Sequence, residues 1–245
     1  MKSILIVAAT DSSGGAGLYQ DIKVSDRLKF WAFPIITGIT LQTFDSLKFI
    51  QNIEADFLKN QLDFALNNYH FDAIKIGAIC GNSQIKIIKE FLDKTDCGKI
   101  VIDPVFSPTN GSSFIENPKM YEDFFSQKVT ITPNIPELKR ILKMPHNSEI
   151  KKLIESALSY SQKKNLNIYL TGGHTDNSSE ITEYYISKNG IQSFQKKKQD
   201  WKYSHGTGCA LSTAFSIYNC SQNGIDAAKM ASNFVTEYFS NLQNI

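Results

Sequence analysis

His205-Gly206-Thr207-Gly208-Cys209 combines two glycines, a hydroxyl and a thiol just ahead of an amphipathic stripe made by Leu211, Ala214, Phe215 and Tyr218. The segment should open a helix, with the glycines letting the backbone curl so that unpaired first amides point outward. Such amides, together with the helix dipole, form an anion site. A phosphoryl group in transfer spreads its charge over its oxygens and is stabilised mainly by fixed donors of this kind. The same location is expected to lower the Cys209 pKa toward thiolate. Cys209 would then take the proton from an attacking hydroxyl. These residues also suit a plain glycine-rich loop around a buried, inert cysteine.

Asp11-Ser-Ser-Gly-Gly-Ala-Gly17 leads into a helix carrying Asp21 and Lys23. Its glycines permit close approach of a planar ligand, and Asp21 is placed to accept hydrogen bonds from a ring amine. A strand-to-helix turn with a capping aspartate reads from the same letters. Asp103-Pro104-Val105 and Asn134-Ile135-Pro136-Glu137 put hard oxygen groups just past apolar runs. Mg2+ keeps several waters and takes few protein carboxylates, so Asp103 and Glu137 fit an Mg-nucleotide. Asn134 also reads as a helix N-cap with Glu137 closing a capping box, and the two roles are compatible. Thr171-Gly172-Gly173-His174 is a further glycine turn, equally readable as a loop with no ligand. Neither a Gly-x-Gly-x-x-Gly fingerprint nor a Walker A sequence occurs, which removes the commonest nucleotide-loop classes.

The elements that must position these groups alternate. Short apolar runs at Ile4–Ala9, Ala32–Thr37, Ala73–Ile76, Ile100–Ile102, Val129–Ile131 and Ile168–Leu170 read as strands. Several are continuously apolar, as parallel strands covered on both faces must be. Between them run helical stripes: Leu58, Leu62, Ala65, Leu66 and Tyr69; then Ile150, Leu153, Ile154, Ala157 and Leu158. Ala228, Ala231, Val235, Tyr238 and Leu242 form another near the end. Glu183–Phe194, with Asn189-Gly190 inside it, reads as a β-hairpin. The expectation is an α/β chain in three layers, a mainly parallel sheet with helices on both faces, as a single domain over residues 1–245. In such sheets ligands bind beyond the carboxyl ends of the strands, and the polar and glycine-rich segments follow those ends.

A net charge of +2 over 245 residues argues against nucleic acid or an anionic membrane as partner. The first apolar run is too short to span a bilayer. Four cysteines without Cys-x-x-Cys or zinc spacing read as free thiols in a reducing cytoplasm.

In their order along the chain, these segments resemble the hydroxymethylpyrimidine/phosphomethylpyrimidine kinase family of the ribokinase-like superfamily. The resemblance rests on Thr10-Asp-Ser-Ser-Gly-Gly-Ala-Gly17 with Asp21-Ile-Lys23, Thr37-Gly-Ile-Thr-Leu-Gln42, Lys75-Ile-Gly77 and Asp103-Pro-Val105. Ile131-Thr-Pro-Asn-Ile-Pro-Glu137, Gly172-Gly-His174 and His205-Gly-Thr-Gly-Cys209 complete it. It implies a ribokinase-like fold and ATP-dependent phosphorylation of 4-amino-5-hydroxymethyl-2-methylpyrimidine, then of its monophosphate, in thiamine biosynthesis. By the same carry-over, Asp21 and Gln42 hold the pyrimidine, with Ala9 and Gly77 beside it. Gly206, Thr207 and Gly208 form the anion hole, and Cys209 is the base. Asp103 and Glu137 serve Mg2+, while Asn134, Thr171, Gly173 and His174 lie on the nucleotide side. A cytoplasmic homodimer is implied as well. Thr171 stands where the family usually has lysine, and Ala9 where it usually has glycine. A pyridoxal or other hydroxymethyl-heterocycle kinase is the alternative activity, and a ligand-binding relative without turnover the alternative class.

Overall fold

The computed structural model describes residues 1–106, 121–122, 124–125, 129–172 and 179–243. The expected run Ile4–Ala9 is the core of strand β1, Ser3–Thr10, followed by helix α1, Gly17–Arg27. Strand β2, Trp31–Gln42, outruns its expected end at Thr37 and turns into β3, Leu47–Asn52. Helix α2 is Ala55–Asn68, β4 Ala73–Ile76, α3 Asn82–Lys94, β5 Ile100–Ile102 and β6 Val129–Ile131. Helix α4, Ile135–Ile141, and α5, Ile150–Lys164, lead to β7, Asn167–Leu170. The expected hairpin is β8, Glu180–Ser187, with β9, Gly190–Lys197; α6, Thr207–Tyr218, and α7, Gly224–Leu242, close the chain.

The sheet runs β3-β2-β1-β4-β5-β6-β7-β8-β9. Strands β2, β1, β4, β5, β6 and β7 are parallel, and β3, β8 and β9 pair antiparallel at the two flanks. Alternation within β1 shows why the central strands are continuously apolar. Leu5 and Val7 enter a core with Leu58 of α2, Ile85 of α3, Leu138 of α4 and Leu153 of α5. Ile4, Ile6 and Ala8 face the opposite way, toward Leu18 of α1 and Ile217 of α6. Helix α7 joins that second layer through Ala228, Ala231 and Val235. Strand β3 and helix α3 are additional to the expected elements. No helix among the described residues is long and apolar enough to cross a membrane, and all four cysteines are free.

Because five neighbouring parallel strands end at the same edge, the segments after β1, β4, β5, β6 and β7 form one continuous rim. The N-terminus of α6 lies on this rim, since α6 packs across β4 and β5 and against α1.

Candidate active site

The loop after β1 is built around Asp11, which is buried. Its Oδ1 accepts from the Ser13 N–H at 2.8 Å and the Ser13 hydroxyl at 2.7 Å. Its Oδ2 accepts from the Ala16 N–H at 2.7 Å and meets His205 Nε2 at 2.9 Å. Burial alone would raise this carboxyl, but the Ser13 and His205 bonds outweigh it and hold the pKa below the ordinary carboxylate value. The loop opening α1 is thereby tied to the loop opening α6. Gly206 makes the seat close: its φ is 84°, and a Cβ there would stand 1.9 Å from the Gly15 carbonyl oxygen. Phe44, beyond β2, lies edge-on to His205 with ring centroids 5.8 Å apart. Gln42 is tied to the same loop: its backbone N–H and carbonyl both bond the Ser12 hydroxyl at 2.9 Å.

Gly206 is also the N-cap of α6, and no side chain caps this end. The Thr207 N–H turns back to the Ser204 carbonyl at 3.2 Å. The amides of Gly208 and Cys209 have no acceptor among the described residues. Of the expected anion hole, Thr207's amide is therefore already engaged, and the Cys209 amide joins Gly208 as an open donor. Cys209 is partly exposed, and its thiol departs from the expectation. Burial of the sulfur, with Asp21 and Asp103 adding to it, pushes the pKa up to about 12 against the pull of Lys75 and the Gly17 N–H. Desolvation of the sulfur exceeds those pulls, so the resting group is a thiol.

Three residues expected on the substrate side, Asp21, Ala9 and Gly77, are buried. Asp21 is 0% exposed, with Oδ2 on Lys75 Nζ at 2.7 Å and Oδ1 on the Thr213 hydroxyl at 2.8 Å. Both of its oxygens face protein donors. Ala9 is 3% exposed, and the Gly77 N–H is bonded to the Val7 carbonyl at 2.8 Å. These residues form the floor beneath the rim.

On the other side of the rim, Asp103 accepts from the Ser212 hydroxyl at 3.0 Å. Burial raises its pKa, opposed by Lys75 and Ser212. Asn134 and Glu137 make the expected capping box, Asn134 Oδ1 accepting from the Glu137 N–H and Glu137 Oε2 from the Asn134 N–H, each at 2.9 Å. This cap stabilises α4 by about 1 kcal/mol and leaves Glu137 Oε1 and the Asn134 amide nitrogen without a partner among the described residues. Burial, then repulsion from Asp103, pushes Glu137 up to about 8. Two carboxyls that disfavour each other's charge at one strand edge suit a hard cation, and the donor set fits Mg2+. Thr171 forms an isolated bridge with Asn134 and directs its N–H and hydroxyl to the Pro133 carbonyl at 3.0 and 3.4 Å. Gly173 and His174 lie outside the described residues, as does the segment 107–113.

The chain has known relatives. The sequence profile of the phosphomethylpyrimidine kinase family matches residues 11–245. The chain belongs to that family. The kinase is 28% identical over 214 residues to the hydroxymethylpyrimidine/phosphomethylpyrimidine kinase of Staphylococcus aureus (strain MRSA252), covering 86% of this chain and 78% of that one. Its fold matches the crystal structure of phosphomethylpyrimidine kinase from Clostridium difficile 630 with a TM-score of 0.82 at 24% identity, over 97% of this chain and 99% of that one. It also matches the pyridoxal kinase from Staphylococcus aureus in complex with AMP-PCP, TM-score 0.87 at 22% identity, over 98% and 89%. The ribokinase-like fold expected from the motifs is thus the fold of this kinase.

Three partners of the kinase's rim were not expected from the sequence: His205 on Asp11, Ser212 on Asp103, and Lys75 on Asp21. The first two join residues 194 and 109 positions apart, so no local spacing could announce them. Lys75 carried a local signal, being the only charged residue in the strand Ala73-Ile74-Lys75-Ile76.

Proposed function

We propose that this kinase transfers the γ-phosphoryl group of ATP to the hydroxymethyl oxygen of 4-amino-5-hydroxymethyl-2-methylpyrimidine, and then to the resulting monophosphate. The observation that carries the reading is the mouth of α6, where the open Gly208 and Cys209 amides stand beside the Cys209 sulfur at the rim's centre. In the first step the substrate oxygen forms its bond to the γ-phosphorus as the bond to the β-phosphate oxygen breaks. ADP leaves, and the hydroxyl proton passes to Cys209 as thiolate. The α6 amides take up the negative charge on the transferring group. Asp103 and Glu137 would hold Mg2+, which supplies charge neutralisation for the nucleotide phosphates. Gln42, at the end of β2 and only partly buried, is the side chain placed to meet the pyrimidine. Asn134 and Thr171 flank the nucleotide side.

The deciding assay supplies purified protein with Mg-ATP and, in parallel, the pyrimidine alcohol, its monophosphate and pyridoxal. Turnover of both pyrimidines above pyridoxal is the expected result. Preference for pyridoxal would transfer the assignment to a related hydroxymethyl-heterocycle kinase, and no turnover with any acceptor would refute the enzyme.

Thr171 supplies no cation where the resemblance leads one to expect lysine. Thr171→Lys should tighten ATP binding by about 5-fold, the upper scale of a partly exposed charge pair, measured by calorimetric titration. Weaker binding would show that another group already occupies that space.

A further inference from the structure

Lys75 sits where neither face of the sheet offers it water. Strand β4 lies between β1 and β5 in the sheet interior, and the Lys75 side chain is 1% exposed. Ile74 and Ile76 enter the core shared with α2 and α3, so alternation sends Ala73, Lys75 and Gly77 toward α1 and α6. Gly77 makes the room: a Cβ there would stand 2.9 Å from Lys75 Nζ. The Lys75-Ile-Gly77 spacing is thus a lysine with the space for its own head.

The ammonium meets Asp21 of α1 at 2.7 Å, and Asp21's other oxygen takes the Thr213 hydroxyl of α6. Residues four apart on a helix share a face, one turn apart. Asp21 lies one turn beyond Gly17, and Thr213 one turn beyond Cys209. The Lys75–Asp21–Thr213 cluster therefore lies one turn beneath the place where the Gly17 N–H approaches the Cys209 sulfur. The charged groups around that sulfur are Lys75 from β4, Asp21 from α1 and Asp103 after β5, with the Asp11–His205 pair at the helix mouth. Lys75 is the buried cation among them. Burial opposes its charge, but Asp21, Cys209 and Asp103 outweigh that and keep it protonated.

We propose that Lys75 is a positioning residue of the phosphoryl transfer: clamped by Asp21 and Thr213, it fixes α1 against α6 and provides the permanent positive charge that stabilises the Cys209 thiolate. This inference rests on the reading of Cys209 as the base, and it gives Asp21 a role opposite to Lys75 on the sulfur. Lysine favours the thiolate, and aspartate opposes it while holding the lysine in place.

The opposition supplies the test. Iodoacetamide reacts with thiolate, so the carbamidomethylation rate of Cys209, followed at pH 8.5 by peptide mass spectrometry, reports the charge state without any turnover. Lys75→Met should slow it by about tenfold or more, a neighbouring opposite charge being worth one to three pKa units. The same variant should lower kcat with little change in the KM for ATP. Asp21→Asn should leave alkylation as fast as in the wild type or faster. If Lys75→Met does not fold, Lys75→Met/Asp21→Asn carries the comparison, and it must react more slowly than Asp21→Asn. Looser packing alone would speed alkylation in both single variants, so movement in the same direction, or none in Lys75→Met, overturns the proposal. Wild-type kcat in Cys209→Ala would instead remove the base reading, while the alkylation contrast would still report on Lys75.

Discussion

Changing Cys209 to alanine should lower kcat by at least ~100-fold while ATP affinity changes by less than ~3-fold, the pattern expected of a group that acts on the substrate proton in the transition state. The thiol lies at the mouth of α6 beside the Gly17 N–H, and two of the carboxylates around it are held by protein donors. Asp21 is closed by Lys75 and Thr213, and Asp11 by Ser13, Ala16 and His205. The pH dependence has a definite sign. With the thiol pushed up to about 12, the thiolate is a small fraction at neutral pH and grows as pH rises. In single-turnover experiments the wild-type rate should therefore climb through pH 7–9, approaching tenfold per unit, and the alanine variant should lose that slope. An unchanged kcat in the variant would remove Cys209 from the chemistry. A wild-type rate already flat at pH 7 would show that bound substrates lower the thiol far below its value in the free protein.

The second large effect concerns the seat of the anion hole. Gly206→Ala puts a Cβ 1.9 Å from the Gly15 carbonyl oxygen, at a φ of 84° that disfavours any side chain. Both neighbours are backbone, so no rotamer relieves the contact, and the loops opening α1 and α6 must separate. Losing the aligned amides should lower kcat by about 100-fold or more, the scale of one oxyanion-hole donor. The melting temperature should fall as well. Gly208→Ala is the control for stability, because its Cβ meets nothing within 4 Å, and it should melt far closer to the wild type. Wild-type kcat in Gly206→Ala would mean that the tight seat is not needed for transfer.

The strands were legible because burial on both faces leaves a continuous apolar run, as at Ile4–Ala9 and Ile100–Ile102. The hairpin was legible through Asn189-Gly190 at its turn. Strand β3 was not: Leu47-Lys-Phe-Ile-Gln-Asn52 buries neither face, so it shows no alternation. The extension of β2 past Thr37 was hidden for a different reason: Gly38 and Thr40 face inward while Ile39 and Leu41 face solvent, so the apolar pattern is inverted and pairing with β3 holds the strand. Asn134 and Glu137 were readable as a cap because four residues contain the whole motif.

What the sequence by itself determined is local: helix mouths with their glycines, the cap, the alternation of strand and helix, and the groups that follow each strand. Those features act over a few residues, so their spacing carries them. The tertiary structure decided which of these groups remain open. Asp21 has the composition of a ligand contact and becomes the closed partner of a lysine 54 positions away. Cys209 has the address of an activated thiolate and is a thiol, because desolvation by surrounding elements exceeds the pull of Lys75 and the Gly17 N–H. Burial and long-range pairing depend on all the layers at once, and no short segment contains that information.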